Sequence, residues 1–299
     1  MKKRALCTVL ACLVSAWLGA ASQAAQEADR EVGSDRPDDG ALHLVFGTYS
    51  TDRPSDMVRK FRPILDALEA SLEPRLGHPV RIRMQVTNDY RAGIEDLTIG
   101  RVDFARFGAT SYITAKQEVD GIRLLAIESN KGRKEFTGII CVVGAGPIRR
   151  LEDLKGKRFA FGNELSTIGR FLSQDLLLEH GIRASDLGAY EYLGRHDKVG
   201  AAVAGGLFDA GALKESTFRQ LVEQGKDLRA LAEIPVVTKP WVARAELSAE
   251  IEEALRQALF ALDDPEILAT LKREGFLPAE DADYEPVRRA MARNADFFD

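Results

Sequence analysis

The chain has 299 residues, 45% of them hydrophobic and 29% charged, a composition that excludes a disordered or fibrous polymer and allows two domains, each with its own core. With 41 basic against 46 acidic side chains, the formal charge of −5 argues against a nucleic-acid binder held by an overall basic field. The three cysteines, Cys7, Cys12 and Cys141, cannot build a disulfide framework.

Lys2, Lys3 and Arg4 precede an apolar stretch over residues 5–18, followed by small residues and a small-x-small site at Ser22-Gln23-Ala24. This reads as a signal peptide over residues 1–24. The apolar stretch is about 14 residues long, short of the roughly 20 that span a bilayer. The expectation is export to a bacterial periplasm, with Cys141 the one cysteine retained. Val9-Leu10-Ala11-Cys12 has the look of a lipobox, but it lies inside the apolar stretch, so lipidation of Cys12 is not expected. Residues 25–40 are polar and aperiodic and read as a flexible leader.

From residue 41 the pattern becomes regular. A buried-strand run at 42–46 precedes Met57, Phe61, Ile64, Leu65, Leu68 and Leu72 at helical spacing. Residues 80–86 read as a strand, 90–99 as a helix, 102–107 as a strand, 111–117 as a helix and 122–127 as a strand. The rhythm repeats with strands at 138–143, 158–161, 190–193 and 209–213. Between them lie helices at 151–154, 168–180 and 198–204, and a further helix follows at 218–224. This alternation predicts parallel sheets with helices on their faces. After extended segments at 228–234 and 236–243, the tail reads as helices only, at 250–262, 266–274 and 286–297. No Pro/Gly/Ser linker divides the chain, so the two lobes are expected to be joined by extended crossings within 128–138 and 213–235. Lobe 1 would then be discontinuous, 41–130 plus 235–299, with lobe 2, 135–232, inserted in it.

Ligands of open α/β sheets bind beyond the carboxyl ends of strands, near helix N-termini. Polar segments stand there at residues 47–50, 108–112, 162–169 and 194–197, and a fifth at 209–212. The sharpest is Ser166-Thr167-Ile168-Gly169, which opens a long apolar helix directly after a strand. Free N–H groups, two hydroxyls and a helix dipole suit a small oxyanion, though Ser and Thr are also ordinary capping residues. His196 stands at a comparable strand-to-helix turn, where it would donate to an anion or simply cap the loop. His43, His78 and His180 have no metal-ligand spacing, no nucleophile elbow or P-loop is present, and Cys141 lies in an apolar run.

Val102-Asp103-Phe104-Ala105-Arg106-Phe107-Gly108 with Ser111-Tyr112 resembles a signature of the PhnD-like periplasmic substrate-binding proteins of phosphate, phosphite and phosphonate ABC transporters. The segment from Leu154-Lys155-Gly156-Lys157 to Ser166-Thr167-Ile168-Gly169 is similar to a second one. Gly194-x-His196-Asp197 with Ala202-Val203 and Asp209-Ala210-Gly211 matches a third, and the stretch from Glu233-Ile234-Pro235 to Arg244 resembles the family's last cleft segment. The resemblance implies a type II periplasmic-binding-protein fold of the α/β class, two Rossmann-like lobes with a ligand cleft between them. The anion pocket it implies falls on Tyr49, Tyr112, Ser166, Thr167, Gly169 and His196. Family members that hold aminoalkyl phosphonates receive the ammonium on acidic residues. Here Lys239 stands close to where one such acid would fall, and Glu215 remains as the other. Ile168 replaces a small or hydroxylated residue. Both departures point toward a compact oxyanion.

The function so implied is capture of a phosphonate, phosphite or phosphate and delivery to an ABC transporter permease, by a monomer and without cofactors. The same chain would serve a membrane-bound sensor. An enzyme like those of thiamine-pyrimidine biosynthesis, on a related fold, is disfavoured by the export signal and the missing catalytic constellation.

Overall fold

The computed structural model describes residues 40–51 and 54–299, so the signal peptide at 1–24, Cys12 and the leader up to residue 39 lie outside the described residues. Among the described residues no helix is long and apolar enough to cross a membrane.

The first buried-strand run is β1 (Leu42–Tyr49), followed by α1 (Pro54–Leu76), β2 (Val80–Thr87) and α2 (Tyr90–Thr98). Met57, Phe61, Ile64, Leu65, Leu68 and Leu72 of α1 are all buried, so the helical spacing in the sequence is the stripe that faces the sheet. Asp89 starts α2 by accepting a hydrogen bond from Ala92 N–H at 2.9 Å. Next come β3 (Phe104–Arg106), α3 (Ala109–Glu118) and β4 (Arg123–Ser129). β10 (Pro240–Ala243) and β11 (Gly275–Leu277) return to the same sheet, whose strand order is β11-β4-β10-β3-β1-β2. Trp241 of β10 is fully buried and stacks on Phe46 of β1 with ring centroids 5.0 Å apart.

The second sheet holds β5 (Glu135–Val143), β6 (Arg158–Phe161), β7 (Ala189–Tyr192), β8 (Ala210–Lys214) and β9 (Leu228–Val237) in the order β7-β6-β8-β5-β9. Strand periodicity sorts β5 between two cores. Ile140 and Val142 pack with Phe159 and Phe161 on one face, while Ile139 and Cys141 pack with Val199 and Leu213 on the other. α4 (Ser173–Glu179), α5 (His196–Ala204) and α6 (Glu215–Glu223) cover these faces. Apart from Leu42 and His43 at the start of β1, both sheets lie in the unit Leu44–Asp299.

The structure corrects four expectations. The sheets are mixed rather than parallel: β1 and β3 run parallel, but β10 is antiparallel to β3 and β4, and β5 is antiparallel to β8 and β9. A run buried on both faces reads the same in either direction, so its apolar pattern carries no sign. β9 pairs with β5 as far as Val237, so residues 235–237 belong to the second sheet and the return crossing falls at Thr238 and Lys239. The tail, expected to be helices only (here α7, Ala249–Ala261; α8, Pro265–Ala269; α9, Glu285–Ala292), also contains β11, a strand too short to show a period. The last turn, Arg293–Phe297, reaches the second sheet, where the Phe297 ring lies 5.8 Å from that of Phe161.

Candidate functional site

β1 and β3 end side by side, and at Gly108 the chain turns from β3 into α3. Tyr49 is buried at the end of β1, stacked on Tyr90 with centroids 3.9 Å apart. Its Oη accepts from Gly108 N–H at 2.7 Å and shares a hydrogen bond with Ser111 Oγ at 2.9 Å. Burial raises its pKa, so it stays a neutral phenol. Tyr49 therefore holds the loop that starts α3, and its hydroxyl is already occupied by protein groups.

On the second sheet, Ser166 and Thr167 follow β6. Ser166 Oγ accepts from Gly169 N–H at 3.0 Å, an ordinary cap. The helix opens with a π-turn, Thr167–Leu172, in which Ser166 O accepts from both Arg170 N–H (3.1 Å) and Phe171 N–H (3.2 Å). Gly169 is demanded by packing: a Cβ there would come within 2.7 Å of Gly162 Cα, and Gly162 N–H donates to Gly169 O at 2.7 Å. Ser166 Oγ and Gly169 thus shape the turn, and Ser166 also lines the small cavity beside it.

Thr167 is different. Its Oγ1 accepts from Thr110 N–H and from Thr110 Oγ1, each at 3.0 Å, joining the start of α3 to the start of the helix on the other sheet. Two helix N-termini, with their partial positive charge, therefore meet across the cleft at these two threonines. Thr167, Ser166, Ile168 and Lys239 line a cavity of about 10 Å³ with His196, which begins α5 and is 4% exposed. That volume is close to the room one water molecule needs. Ile168 supplies an apolar wall, packed so closely on Gly138 that a Cβ there would lie 2.7 Å from Ile168 Cγ2. A Cβ built on Gly108 would lie 3.3 Å from Tyr49 Oη, 3.4 Å from Thr167 Oγ1 and 3.8 Å from Lys239 Nζ, so these groups converge on one point.

Lys239 sits at the return crossing, half-buried, beside a charged centre absent from the sequence-based site. Arg106 forks onto Glu128, Nε to Oε1 at 2.7 Å and Nη2 to Oε2 at 3.0 Å, and Arg273 Nε lies 3.4 Å from Glu128 Oε2. Glu128 has no exposure and Arg106 has 7%. Burial alone would raise the Glu128 pKa, but Arg106, with Arg273 and Lys239 behind it, holds the carboxyl below the usual value. Lys239 shows the reverse. Burial, then repulsion from Arg106, Lys214 and Lys60, push its pKa well below the ordinary lysine value, and Glu128 offsets this only in part. The centre has more cations than carboxylate, and an arriving anion would supply the missing charge. Arg106 stands inside the motif Val102–Gly108; its signal was an arginine in an otherwise apolar strand, where an unpaired guanidinium would be costly.

Two expected residues lie elsewhere. Tyr112 is buried against Tyr284, and its Oη donates to Asp281 Oδ1 at 2.7 Å, so the side chain ties α3 to the tail and is not among the residues lining either cavity. Tyr112→Phe should leave ligand affinity unchanged and lower stability by about 1–3 kcal/mol, the worth of a hydrogen bond to a charged group, as read by urea unfolding. A large loss of affinity would return Tyr112 to the pocket. Glu215 lines a second cavity, of about 500 Å³, where its Oε1 accepts from Arg219 Nε at 2.9 Å and Nη2 at 2.5 Å. Cys141 is fully buried, which pushes its thiol pKa up to about 12 and leaves it an inert core residue.

The family model described as the periplasmic substrate-binding protein of phosphonate ABC transporters matches residues 46–284. The chain is 25% identical over 260 residues to the phosphonates-binding periplasmic protein of Escherichia coli K12, covering 82% of this chain and 75% of that one. It is 24% identical over 297 residues to the phosphate-import protein PhnD of Mycolicibacterium smegmatis, covering 86% and 88%. The structure of PhnD1 from Prochlorococcus marinus MIT 9301 in complex with methylphosphonate superposes with a TM-score of 0.75 at 21% identity, covering 85% of this chain and 98% of that one.

Proposed function

Since this chain belongs to the family of periplasmic substrate-binding proteins of phosphonate ABC transporters, we propose that it captures a compact phosphorus oxyanion between Thr110, Thr167, His196 and Lys239 and passes it to a membrane permease. The observation that carries this reading is the meeting of two helix N-termini at Thr110 and Thr167, 3.0 Å apart, next to a lysine lacking full charge compensation. An oxyanion entering there takes the hydrogen bonds that the threonines give each other, and charge-assisted bonds are the stronger kind. The two crossings, residues 130–134 and Thr238-Lys239, are the natural hinges. Ligand would favour the closed arrangement by bridging the two helix starts. The protein performs no chemistry on its cargo and works as a monomer.

Of the family's ligands, those without an amine fit best. Glu215 is held by Arg219 in surroundings crowded with cations, and Lys239 replaces an acid, so an ammonium group finds no free carboxylate. The experiment is calorimetric titration of protein stripped of ligand by unfolding and refolding, against phosphate, phosphite, methylphosphonate, aminoethylphosphonate and sulfate. Tight binding of a phosphorus oxyanion with sulfate silent supports the reading, and silence across the panel overturns it. In the same assay Thr167→Val, which keeps the shape and removes the hydroxyl, should weaken binding by about 10- to 100-fold, the worth of a hydrogen bond to a charged group. Unchanged affinity would remove Thr167 from the pocket.

A further inference from the structure

The small cavity at Thr167 shares Lys239 and Phe136 with the 500 Å³ cavity beside it. Of the 15 residues lining that larger space, 9 are Lys or Arg and one, Glu215, is acidic, in a chain whose overall charge is −5. Glu215 and Glu128 face Arg219, Arg106 and Arg273, Glu274 accepts from Lys131 N–H at 2.6 Å, and Asp56 stands in the adjoining cavity with Lys60, Lys214 and Lys272, so the recess holds more cations than the carboxylates around it. The cations come from both sheets and the crossings: Lys60 from α1, Lys131 from the outward crossing, Lys214 from the end of β8 and Lys272 from the turn before β11. Lys214 is 8% exposed, so this is a built recess and not a surface scatter.

An independent backbone observation falls on the same place. Among the described residues, two that are not glycine have a left-handed backbone, Lys131 (φ 54°) and Lys272 (φ 57°), and both line this cavity. Each is a turn residue: Lys131 and Gly132 make the two-residue turn closed by the paired hydrogen bonds of Asn130 and Arg133, and Lys272 lies in the turn that ends the short helix α8, where Arg273 N–H donates to Leu268 O, so two tight turns hold these lysines at the recess. A single oxyanion, with two charges at most, is served by Lys239 and the two threonines. An aliphatic tail would meet mainly cations, and an ammonium tail would be repelled.

We propose that this basic recess receives a second phosphoryl group attached to the one bound at Thr167 and Lys239, so that the cargo is an inorganic diphosphate or a diphosphate ester. The proposal rests on the phosphorus-oxyanion reading above and names the ligand class within it. The planar guanidinium groups of Arg133 and Arg273 suit phosphoryl oxygens, and the excess of positive charge favours a group carrying more than one negative charge.

The test is calorimetric titration of the ligand-stripped protein with inorganic diphosphate, methylphosphonate, phosphonoacetate and adenosine diphosphate. The wild type should bind diphosphate at least tenfold more tightly than methylphosphonate, with phosphonoacetate between them. Adenosine diphosphate matching inorganic diphosphate assigns an ester as cargo, and its silence beside tight diphosphate assigns the inorganic ion. The double variant Lys131→Asn/Lys272→Asn keeps a residue tolerant of the left-handed backbone and removes two charges. It should lose at least tenfold for diphosphate and stay within threefold for methylphosphonate. Diphosphate binding no more tightly than methylphosphonate, phosphonoacetate exceeding diphosphate, or equal losses for both ligands in the double variant would overturn the proposal while leaving the oxyanion pocket standing. Silence toward every ligand would overturn both.

Discussion

Lys239→Met should raise the melting temperature of the ligand-free protein while weakening its hold on a phosphorus oxyanion by on the order of 10²-fold, the scale for truncating one partner of a buried charged contact. The two effects have one cause. Lys239 is held partly buried at the return crossing with Arg106, Lys214 and Lys60 nearby, and its pKa lies well below the ordinary lysine value of 10.5. Between that folded pKa and 10.5 the folded chain binds fewer protons at this site than the unfolded chain, so stability contributed here rises with pH through the window and is lowest beneath it. Removing the charge lifts this penalty. The advantage of the variant over wild type should therefore be present at pH 7 and shrink to nothing as pH approaches 10.5. In a protein of this size each kcal/mol relieved is worth roughly 2–4 °C.

Ligand binding reads the same linkage from the other side. An anion next to Nζ favours the charged amine, so wild-type binding should take up protons and weaken with rising pH, and Lys239→Met should lack both effects. Calorimetry in two buffers of different ionisation enthalpy measures the uptake directly. A variant with a lower melting temperature than wild type at pH 7, or one that keeps full affinity, would show that Lys239 is not the site's unbalanced charge.

How much of this was open to sequence reasoning depends on what carries each feature. The stripe Met57 to Leu72 and the alternation in β5 are periodic signals and translate directly into faces. Strand direction and a three-residue strand such as β11 leave no period, so mixed sheets and the second-sheet assignment of residues 235–237 had no signal. In the site, Thr167, His196 and Lys239 follow a strand, a strand and a crossing, positions where motif order and spatial order agree. Tyr112 sits in the same motif as Gly108, yet the helical twist of α3 turns its ring toward Tyr284 and Asp281, and neighbours in sequence part company within one turn. Ser166 and Gly169 cap and pack the helix start, a role that uses the same residues as an oxyanion-like pattern. The recess around Lys60, Lys131, Lys214 and Lys272 was invisible because its cations lie far apart in sequence and each, taken alone, reads as a solvated surface residue.

Glu128→Gln should act in the opposite sense to Lys239→Met. Glu128 is fully buried and is the carboxylate onto which Arg106 forks, with Arg273 3.4 Å away and Trp241 Nε1 3.4 Å from its Oε1. The amide keeps the volume and removes the charge, which leaves Arg106 and its neighbours uncompensated. Breaking a buried pair in this way costs about 3–5 kcal/mol, equivalent to roughly 10 °C in melting temperature. The Glu128 pKa lies below its ordinary value, so the stability it contributes is fully present above about pH 4.5 and is lost as pH falls through the folded value. The gap between wild type and variant should be constant from pH 8 to 5 and close in stronger acid. Affinity should rise, because the oxyanion no longer competes with a carboxylate for the same cations. Saturating ligand should then restore more stability to the variant than to wild type, since stabilisation by a ligand grows with its concentration relative to Kd. A gap under 1 kcal/mol at pH 7, or an affinity that falls with the charge removed, would mean that Glu128 is not the counter-ion that keeps this cleft positive and folded at once.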